Sequence, residues 1–256
     1  MKIATWNVNS INTRLPHLLK WLGDAKPDIV GIQETKTIDE KFPKLELEDL
    51  GYNVIFNGQK SYNGVALLSK KPIDEYSFIL PNNPIAEQAR VVQAEISGHL
   101  ILNLYIPNGS EVGSEKWDIK LNFLAALKQH LQVLQQQYSQ IIVMADYNIA
   151  PEPIDVYAPK QMDGGICYHP TERKFFRQLL NMGFVDSFRL KHPTKQQFSW
   201  WDYRAGAWQY NKGMRIDHLL CNAALADKII DVQVDTTPRG WEKPSDHAPV
   251  ILELAA

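Results

Sequence analysis

Three observations predict a layered α/β domain. Short runs rich in β-branched and aliphatic residues recur between Gly, Pro and Asn, and amphipathic helical stretches separate some of them. In addition, 45% of the 256 residues are hydrophobic, enough to bury a large core in one domain at the upper end of the usual size. The first run, "KIATWNV", is a strand, and in the helix after it Leu15, Leu18, Leu19 and Leu22 fall at i, i+3, i+4 and i+7 to form one apolar stripe. Gly23 to Pro27 ends that helix. "DIVGIQE" is a second buried strand, and "NVIFN", "GVALLS", "VVQAEI" and "LILNLYI" supply further short strands of an antiparallel or mixed sheet. A long helix is predicted from Glu115 to Gln137, with Leu121, Leu124, Leu127, Leu131 and Leu134 on one side. The strand "IIVMAD" follows, and then Pro151 to Pro170 is too irregular for either element. A helix near Thr171 to Asn181 stops at Gly183, and "RIDHLLC", "IIDVQVD" and "HAPVILEL" close the chain as strands. No linker, low-complexity tract or solenoid period interrupts this order, so one domain is expected.

Composition narrows the chemistry. Cys167 and Cys221 are the two cysteines and form no CxxC or Cys/His cluster, which excludes a disulfide framework and a thiolate zinc site. The longest apolar runs are too short to span a bilayer, and a soluble protein located in the cytoplasm is expected. The net charge of −2 conceals a local excess: from Pro170 to His218 there are nine basic residues against four acidic ones. Such a patch suits a phosphate backbone, and a solvated face would have the same composition.

Polar residues recur where the apolar runs stop. They are Asn7 and Asn9, Glu34, Tyr105, Asp146 and Asn148, Asp217, and Asp246 with His247. In "ATWNVNS" and "VMADYNIA" the polar pairs stand at i and i+2, so strand periodicity sends Asn7 with Asn9, and Asp146 with Asn148, to one side each. Tyr147, between the second pair, is expected to turn into packing. If the set converges, it offers carboxylates, amides and one imidazole. These hard oxygen donors suit Mg²⁺ or Mn²⁺ completed by phosphate oxygens, and favour phosphoester hydrolysis over acyl transfer by a Ser or Cys nucleophile. Taken singly, each residue has a plain structural role as well: Glu34 as a cap or ion-pair partner, Asp146 and Asn148 as turn formers, Tyr105 as an edge of the core.

Read as an ordered set, the motifs resemble the exonuclease III class of abasic-site (AP) endonucleases, in the endonuclease/exonuclease/phosphatase superfamily that also includes DNase I. The resemblance spans the chain through "WNVNSI" with Arg14, "PDIVGIQETK", "YIPNGSEVGSEKWDIKLNFL", "MADYNIAPEPIDVY", "HPTERKFFRQLLNMGFVDSFR", "FSWWDYR", "GMRIDHLLC" and "PSDHAPV". It implies a DNase I-like four-layer α/β sandwich, two mixed β-sheets packed face to face with helices outside. It implies that Glu34 is the principal metal ligand, helped by Asn7 and Asp246. By the same resemblance Asp146 positions or deprotonates the attacking water, and Asn148 holds the water or the phosphoryl oxygens. Tyr105 and His247 contact the scissile phosphate, and Asp217 orients the imidazole. Arg14, Asn108, Trp200, Tyr203 and Ile216 are the implied substrate contacts, with Trp200 and Ile216 lining a pocket for the baseless sugar.

"FSWWDYRAGAWQYNKGMRI" interleaves six aromatic rings with Arg204, Lys212 and Arg215, a composition suited to phosphate contacts beside an apolar sugar pocket. Trp201 and Trp208 could equally be core. Two positions depart from the family pattern: Ala145 stands where many relatives have Gly, and Asn9 where some have Asp, which would weaken any second metal site. The expected activity is Mg²⁺-dependent cleavage, with Mn²⁺ as a substitute, 5′ to abasic sites in double-stranded DNA. Removal of nucleotides and blocking groups from 3′ ends is expected of the same centre, acting as a monomer, without a membrane, and near the nucleoid in a bacterium. A phosphatase or phosphodiesterase of inositol or lipid headgroups and a non-catalytic DNA-binding module are the alternatives.

Overall fold

Strands buried on both faces carry near-continuous apolar runs instead of alternation, and the central strands of this protein have that character. The computed structural model describes residues 1–255. In chain order the first half contains β1 (Lys2–Asn7), α1 (Ile11–Ala25), β2 (Ile29–Gln33), α2 (Lys44–Glu48), β3 (Asn53–Asn57), β4 (Val65–Ser69), β5 (Tyr76–Ser77), β6 (Val91–Ile96), β7 (His99–Tyr105) and α3 (Glu115–Gln137). The second half contains β8 (Ile141–Asp146), α4 (Pro159–Met162), α5 (Pro170–Asn181), β9 (Phe184–Asp186), α6 (Ser187–Lys191), β10 (Trp200–Trp201), β11 (Gly213–Met214), β12 (Asp217–Asn222), α7 (Ala223–Ala226), β13 (Ile229–Val234) and β14 (Val250–Leu254).

Two six-stranded sheets result, ordered β13-β14-β1-β2-β4-β3 and β5-β6-β7-β8-β12-β9, with β10 and β11 forming a separate ribbon. Each large sheet is mixed. β1 pairs parallel with β2, and β7 with β8, while their other neighbours are antiparallel. A parallel pair needs a crossover, and α1 and α3 supply them. The core divides accordingly. Ile3, Ile29, Leu67, Ile101, Ile142, Leu219 and Leu252 fill the space between the sheets. Ala4, Trp6, Val30 and Ile32, one residue out of phase, pack outward on Leu18, Trp21 and Leu22 of α1. On the other side Leu102, Leu104, Ile141 and Val143 pack on Leu124, Leu127, Leu131 and Leu134 of α3 and on Phe176 and Leu179 of α5. The layers are helix, sheet, sheet, helix, as the family resemblance implied.

One polar cluster crosses the intersheet space. Gln33 donates to Thr5 Oγ1 at 2.7 Å and to Asn103 Oδ1 at 2.5 Å, and Asn103 donates to the carbonyls of Ile32 and Ala66 at 3.0 and 2.8 Å. Gly31 lies against it, and a Cβ there would come within 2.7 Å of the Asn103 side chain. A buried polar group costs stability unless paired, so these bonds specify how the two sheets meet.

Several sequence expectations need adjustment. Gly23 lies inside the last turn of α1, which ends when Lys26, left-handed at φ 49°, donates back to Leu22. Of the predicted stripe, Leu18 and Leu22 are buried with Ile11 and Trp21, while Leu15 and Leu19 are half-exposed. The stretch from Pro151 to Pro170 contains two short helical turns, Pro153–Asp155 and α4, each with Pro in its first turn. Among the described residues no helix is long and apolar enough to cross a membrane.

Candidate active site

The strand topology gathers the polar ends. The parallel strands β1, β2, β7 and β8 all finish at one edge of the two sheets, on Asn7, Gln33, Tyr105 and Asp146, and Glu34 follows β2 directly. β12 pairs antiparallel with β8 so that its first residue, Asp217, stands opposite Asp146. His247 precedes β14 and bridges to Trp200. All of the residues marked at strand ends in the sequence therefore come together.

The paired residues converge for a reason other than strand period. β1 ends at Asn7 and β8 at Asp146, and Asn9 and Asn148 lie beyond them with left-handed φ of 45° and 50°. In both places the side-chain oxygen of the strand-end residue accepts from the backbone N–H two residues on, at 3.0 Å. These are Asx turns, and Asn tolerates the left-handed region because its short polar side chain bonds locally. The turn-forming role and the site role thus belong to the same residues. Tyr147, fully buried, packs edge-on against Phe176 and His218, as its place between the pair implied.

The Asn7 amide is the central clamp. Its Nδ2 donates to Glu34 Oε1 at 2.7 Å and to Asp146 Oδ2 at 2.9 Å, which turns its oxygen to the Asn9 N–H. Lys36 Nζ reaches Glu34 Oε2 at 2.7 Å and donates to Asn9 Oδ1 at 2.6 Å. Burial works to raise the Glu34 carboxyl, but the Lys36 ammonium and the bonds from Asn7 and Lys36 outweigh it and hold it below its ordinary value. Asp146 has no lysine or arginine beside it, and its cationic neighbour is His247, 3.7 Å away. Burial pushes its carboxyl up, with Asp217 and Glu34 adding to the rise and His247 and Asn7 opposing it.

His247 is held from both sides. Nδ1 donates to Asp217 Oδ2 at 2.8 Å, and Nε2 lies 3.7 Å from Asp146 Oδ2. Asp217 Oδ2 also accepts from Ser199 Oγ at 2.6 Å, and that hydroxyl in turn accepts the Ile216 and Asp217 N–H groups at 3.1 Å. Burial alone would strip the imidazole of its proton, but Asp217, then Asp146, outweigh burial and raise it well above its ordinary value. His247 is an imidazolium at neutral pH. Tyr105 stays a phenol, since burial, Glu34 and Asp146 all raise it.

Asn108 donates to Asn148 Oδ1 at 3.0 Å while Asn148 Nδ2 donates to the Ile106 carbonyl at 3.0 Å, which fixes which end of the Asn148 amide is which. Asp246 stands across the cleft with Oδ1 accepting from Asn9 and Oδ2 from Trp200 Nε1, both at 3.0 Å. Arg14 donates to the Asn9 carbonyl at 2.6 Å and to Tyr203 Oη at 3.2 Å, so Arg14 and Tyr203 form the rim. The cleft, about 370 Å³, has Glu34, Asp146, Asn148 and His247 on one side and Ile166, Trp200, Met214 and Ile216 on the other.

Ligand atoms of Glu34, Asp146 and His247 lie within 4.8 Å of one another. The two carboxylates fit a hard divalent cation, whereas a protonated imidazole fits an anion beside it. Cys167 reaches the cleft wall, but burial pushes its thiol up to about 12, so it is no nucleophile. One expectation changes and one open choice is decided. Arg215 is buried, donating to Asp155 and Asp186 at 2.7 to 3.1 Å, and cannot contact phosphate; Trp201 is core, with Trp208 packed against it. Lys36 and Ser199 were not selected from the sequence, although "ETK" places Lys36 two residues after Glu34. Lys120 was missed too: fully buried in α3, it pairs with Glu172 and donates to the carbonyls of Asn108 and Asn148 at 3.0 and 2.8 Å.

Residues 4–247 match the Endonuclease/Exonuclease/phosphatase family. Exodeoxyribonuclease III of Haemophilus influenzae is 36% identical, over 99% of this chain and 100% of that protein. The fold superposes on a 3′ phosphatase, NExo from Neisseria, bound to a product DNA hairpin, with TM-score 0.98, 39% identity and 100% of each chain covered. An AP endonuclease from Archaeoglobus fulgidus superposes with TM-score 0.95 and 38% identity, again over 100% of both chains.

Proposed function

The chain belongs to the endonuclease/exonuclease/phosphatase family, and from that premise we propose that it cuts the phosphodiester 5′ to abasic sites in duplex DNA and clears 3′ ends with the same groups. It is a hydrolase, a nuclease of the exonuclease III and AP endonuclease kind. Cleavage leaves a 3′-hydroxyl and a 5′-deoxyribose phosphate. The same phosphorus-centred attack removes a 3′-phosphate or a terminal nucleotide.

Glu34, with Asn7 beside it and Asp246 across the cleft, would hold Mg²⁺, or Mn²⁺ in its place; when bound, the ion supplies positive charge to the phosphate oxygens. The remaining chemistry belongs to the side chains. Asp146 orients the attacking water and takes its proton, a task for which the rise caused by burial suits it. Asn148, held by Asn108 and Ile106, keeps one amide N–H for the water or a phosphoryl oxygen. His247 donates from Nε2 to a phosphoryl oxygen as charge gathers at phosphorus, and Asp217 keeps it protonated and aimed. Tyr105 donates its phenol to the same phosphate. Arg14 and Tyr203 contact the flanking strand.

The observation that carries the abasic reading is the shared cleft of about 370 Å³, where this polar side faces an apolar wall of Ile166, Trp200, Met214 and Ile216. A sugar without a base packs against such a wall beside its phosphate. A nucleotide stacked in the duplex does not reach it. The protein is expected to act as a monomer built of one domain.

The test is a time course on a duplex carrying a stable abasic analogue, a matched 3′ end and a 3′-phosphate, with Mg²⁺ and with EDTA. Cutting is expected only with the metal, and Asp146→Ala should retain binding of the abasic duplex while losing cleavage. Cleavage by Asp146→Ala at the wild-type rate would refute the assignment. Hydrolysis of phosphoinositides with none of abasic duplex would give the site to the headgroup class instead.

A further inference from the structure

A second cavity, about 420 Å³, adjoins the catalytic cleft and shares Glu34, Tyr105 and Asn108 with it. Those three residues form the partition. The rest of its lining differs from the apolar wall of the cleft in carrying three amides, Gln59, Asn63 and Gln88, and three cations, Lys36, Arg90 and Lys116.

The amides are locked in one orientation. Gln59 Oε1 accepts from Asn63 Nδ2 at 2.9 Å and from the Ala89 N–H at 3.0 Å. Gln88 Oε1 accepts from Arg90 Nε at 2.7 Å and from Asn63 Nδ2 at 3.3 Å. Both oxygens are therefore turned into the protein, and the NH₂ ends of Gln59 and Gln88 are left to face the cavity. Asn108 is turned toward the catalytic cleft instead: its oxygen accepts the Ser110 N–H at 3.1 Å and its NH₂ is spent on Asn148 Oδ1 at 3.0 Å. Arg90 spends Nε on Gln88 and Nη1 on the Tyr105 carbonyl, at 3.1 Å, and keeps Nη2 free. Lys116 adds a cation at the mouth. The one carboxylate in the lining, Glu34, is already bonded by Asn7 and Lys36. A wall on which the NH₂ groups of Gln59 and Gln88, Arg90 Nη2 and Lys116 present N–H donors, with both glutamine oxygens turned inward, selects an anion rich in acceptor oxygens, and its size lies within the range of about 300–1,000 Å³ typical of small-ligand pockets.

We propose that this cavity is a second phosphate subsite, taking the phosphate of a nucleotide next to the one that is cut, with its sugar against Ile85 and Tyr62. The inference rests on the nuclease reading, in which Tyr105 donates to the scissile phosphate and Asn108 holds Asn148 beside it. The phosphate can come from the continuing strand or from a free mononucleotide product, and the two sources are separable.

The test uses the full-length double variant Gln59→Glu, Gln88→Glu. Glutamate keeps the inward oxygens and their bonds and exchanges the free NH₂ for an anionic oxygen, so melting should stay within a few degrees of wild type. On a 3′-phosphorylated oligonucleotide duplex KM should rise at least tenfold with kcat within twofold. The slope of log KM against log salt should fall by about one for each phosphate that the variant no longer holds. On thymidine 3′-monophosphate, which has only the phosphate to be cut, kcat/KM should not change. Thymidine 5′-monophosphate that competes with the duplex in wild type but not in the variant identifies a free mononucleotide as an occupant. Absence of competition in wild type, with the KM effect intact, identifies the strand phosphate. An unchanged KM on the duplex, an equal loss on the minimal substrate, or competition that the variant leaves intact overturns the proposal. A wild-type protein inactive on both substrates refutes the nuclease reading instead.

Discussion

Asp217→Asn isolates the charge of the His247 pair from its geometry. Asparagine keeps an oxygen where Asp217 Oδ2 now accepts from His247 at 2.8 Å and from Ser199 at 2.6 Å. What it removes is the anion that, ahead of Asp146, raises the imidazole. At 2.8 Å two unit charges interact by about 6 kcal/mol with an effective dielectric of ~20. Part of that returns through the neutral hydrogen bond, so a net loss of about 3 to 5 kcal/mol is expected, as for other broken buried pairs. That equals a fall of about 2 to 4 pH units in the imidazole. Only Asp146, 3.7 Å away, then supports the proton, and burial opposes it.

The sign follows from the direction of the shift. In wild type the raised His247 keeps its proton through neutrality, so the phosphate donor is present across that range. In Asp217→Asn the proton leaves as pH rises through the lowered value, and the cleavage rate should fall about tenfold per pH unit above it. Single-turnover cleavage of an abasic duplex between pH 5.5 and 9 at fixed metal reads this out. Imidazole ¹⁵N shifts in selectively labelled protein, assigned with His247→Gln, report the titration directly. If Asp217→Asn lowers the rate by the same factor at every pH, Asp217 only positions the ring and the electrostatic argument is wrong.

Other contacts make separate predictions. Lys120→Met leaves the Glu172 carboxylate buried without its cation and should cost about 3 to 5 kcal/mol in urea unfolding, whereas Lys120→Met with Glu172→Gln should recover most of it; equal stabilities would refute the pairing. His218 is buried neutral, accepting from Arg215 at 2.9 Å and donating to the Ile149 carbonyl at 2.8 Å, and burial foremost, then Arg215, pushes it down to about 4. A lowered value means that its contribution is present above the unfolded value of 6.5 and is lost as pH falls from there through about 4. That amounts to about 3 kcal/mol, and the acid slope of the urea midpoint should flatten in His218→Gln. Ile216→Phe, which narrows the apolar side of the cleft, should depress abasic incision at least tenfold more than 3′-phosphate removal; a parallel loss would separate the wall from sugar recognition.

The fold was legible because its main signals are local. Continuous runs such as "IIVMA" report strands buried on both faces, and the leucine spacing from Leu124 to Leu134 reports one helix face, whatever lies opposite, although Leu121, placed in the same stripe, is half-exposed. The site was legible only as a set, and for one pair the reasoning was incomplete. Strand alternation was to bring Asp146 and Asn148 together, yet the strand ends at Asp146 and an Asx turn brings Asn148 round at φ 50°. Hydrophobic period carries no information about a backbone that leaves the β region, whereas the residue type does, since Asn enters the left-handed region at small cost. Charge failed differently. Arg215 counted toward a phosphate footprint but lies buried between Asp155 and Asp186, which are 60 and 29 positions away in sequence. Lys120 falls at i, i+4 and i+7 with Leu124 and Leu127, on the buried face of its helix, but its partner Glu172 comes 52 positions later. A cation's role depends on where its counter-ion folds to, and no window along the chain contains that. What the sequence does contain is the requirement it creates: a buried Lys or Arg must find a carboxylate. Asp155, within the irregular stretch, and Glu172, just after it, are buried acids that meet it. The polar network behind the cleft is therefore as much a folding constraint as a catalytic one, and its loss should be felt in stability and in turnover together.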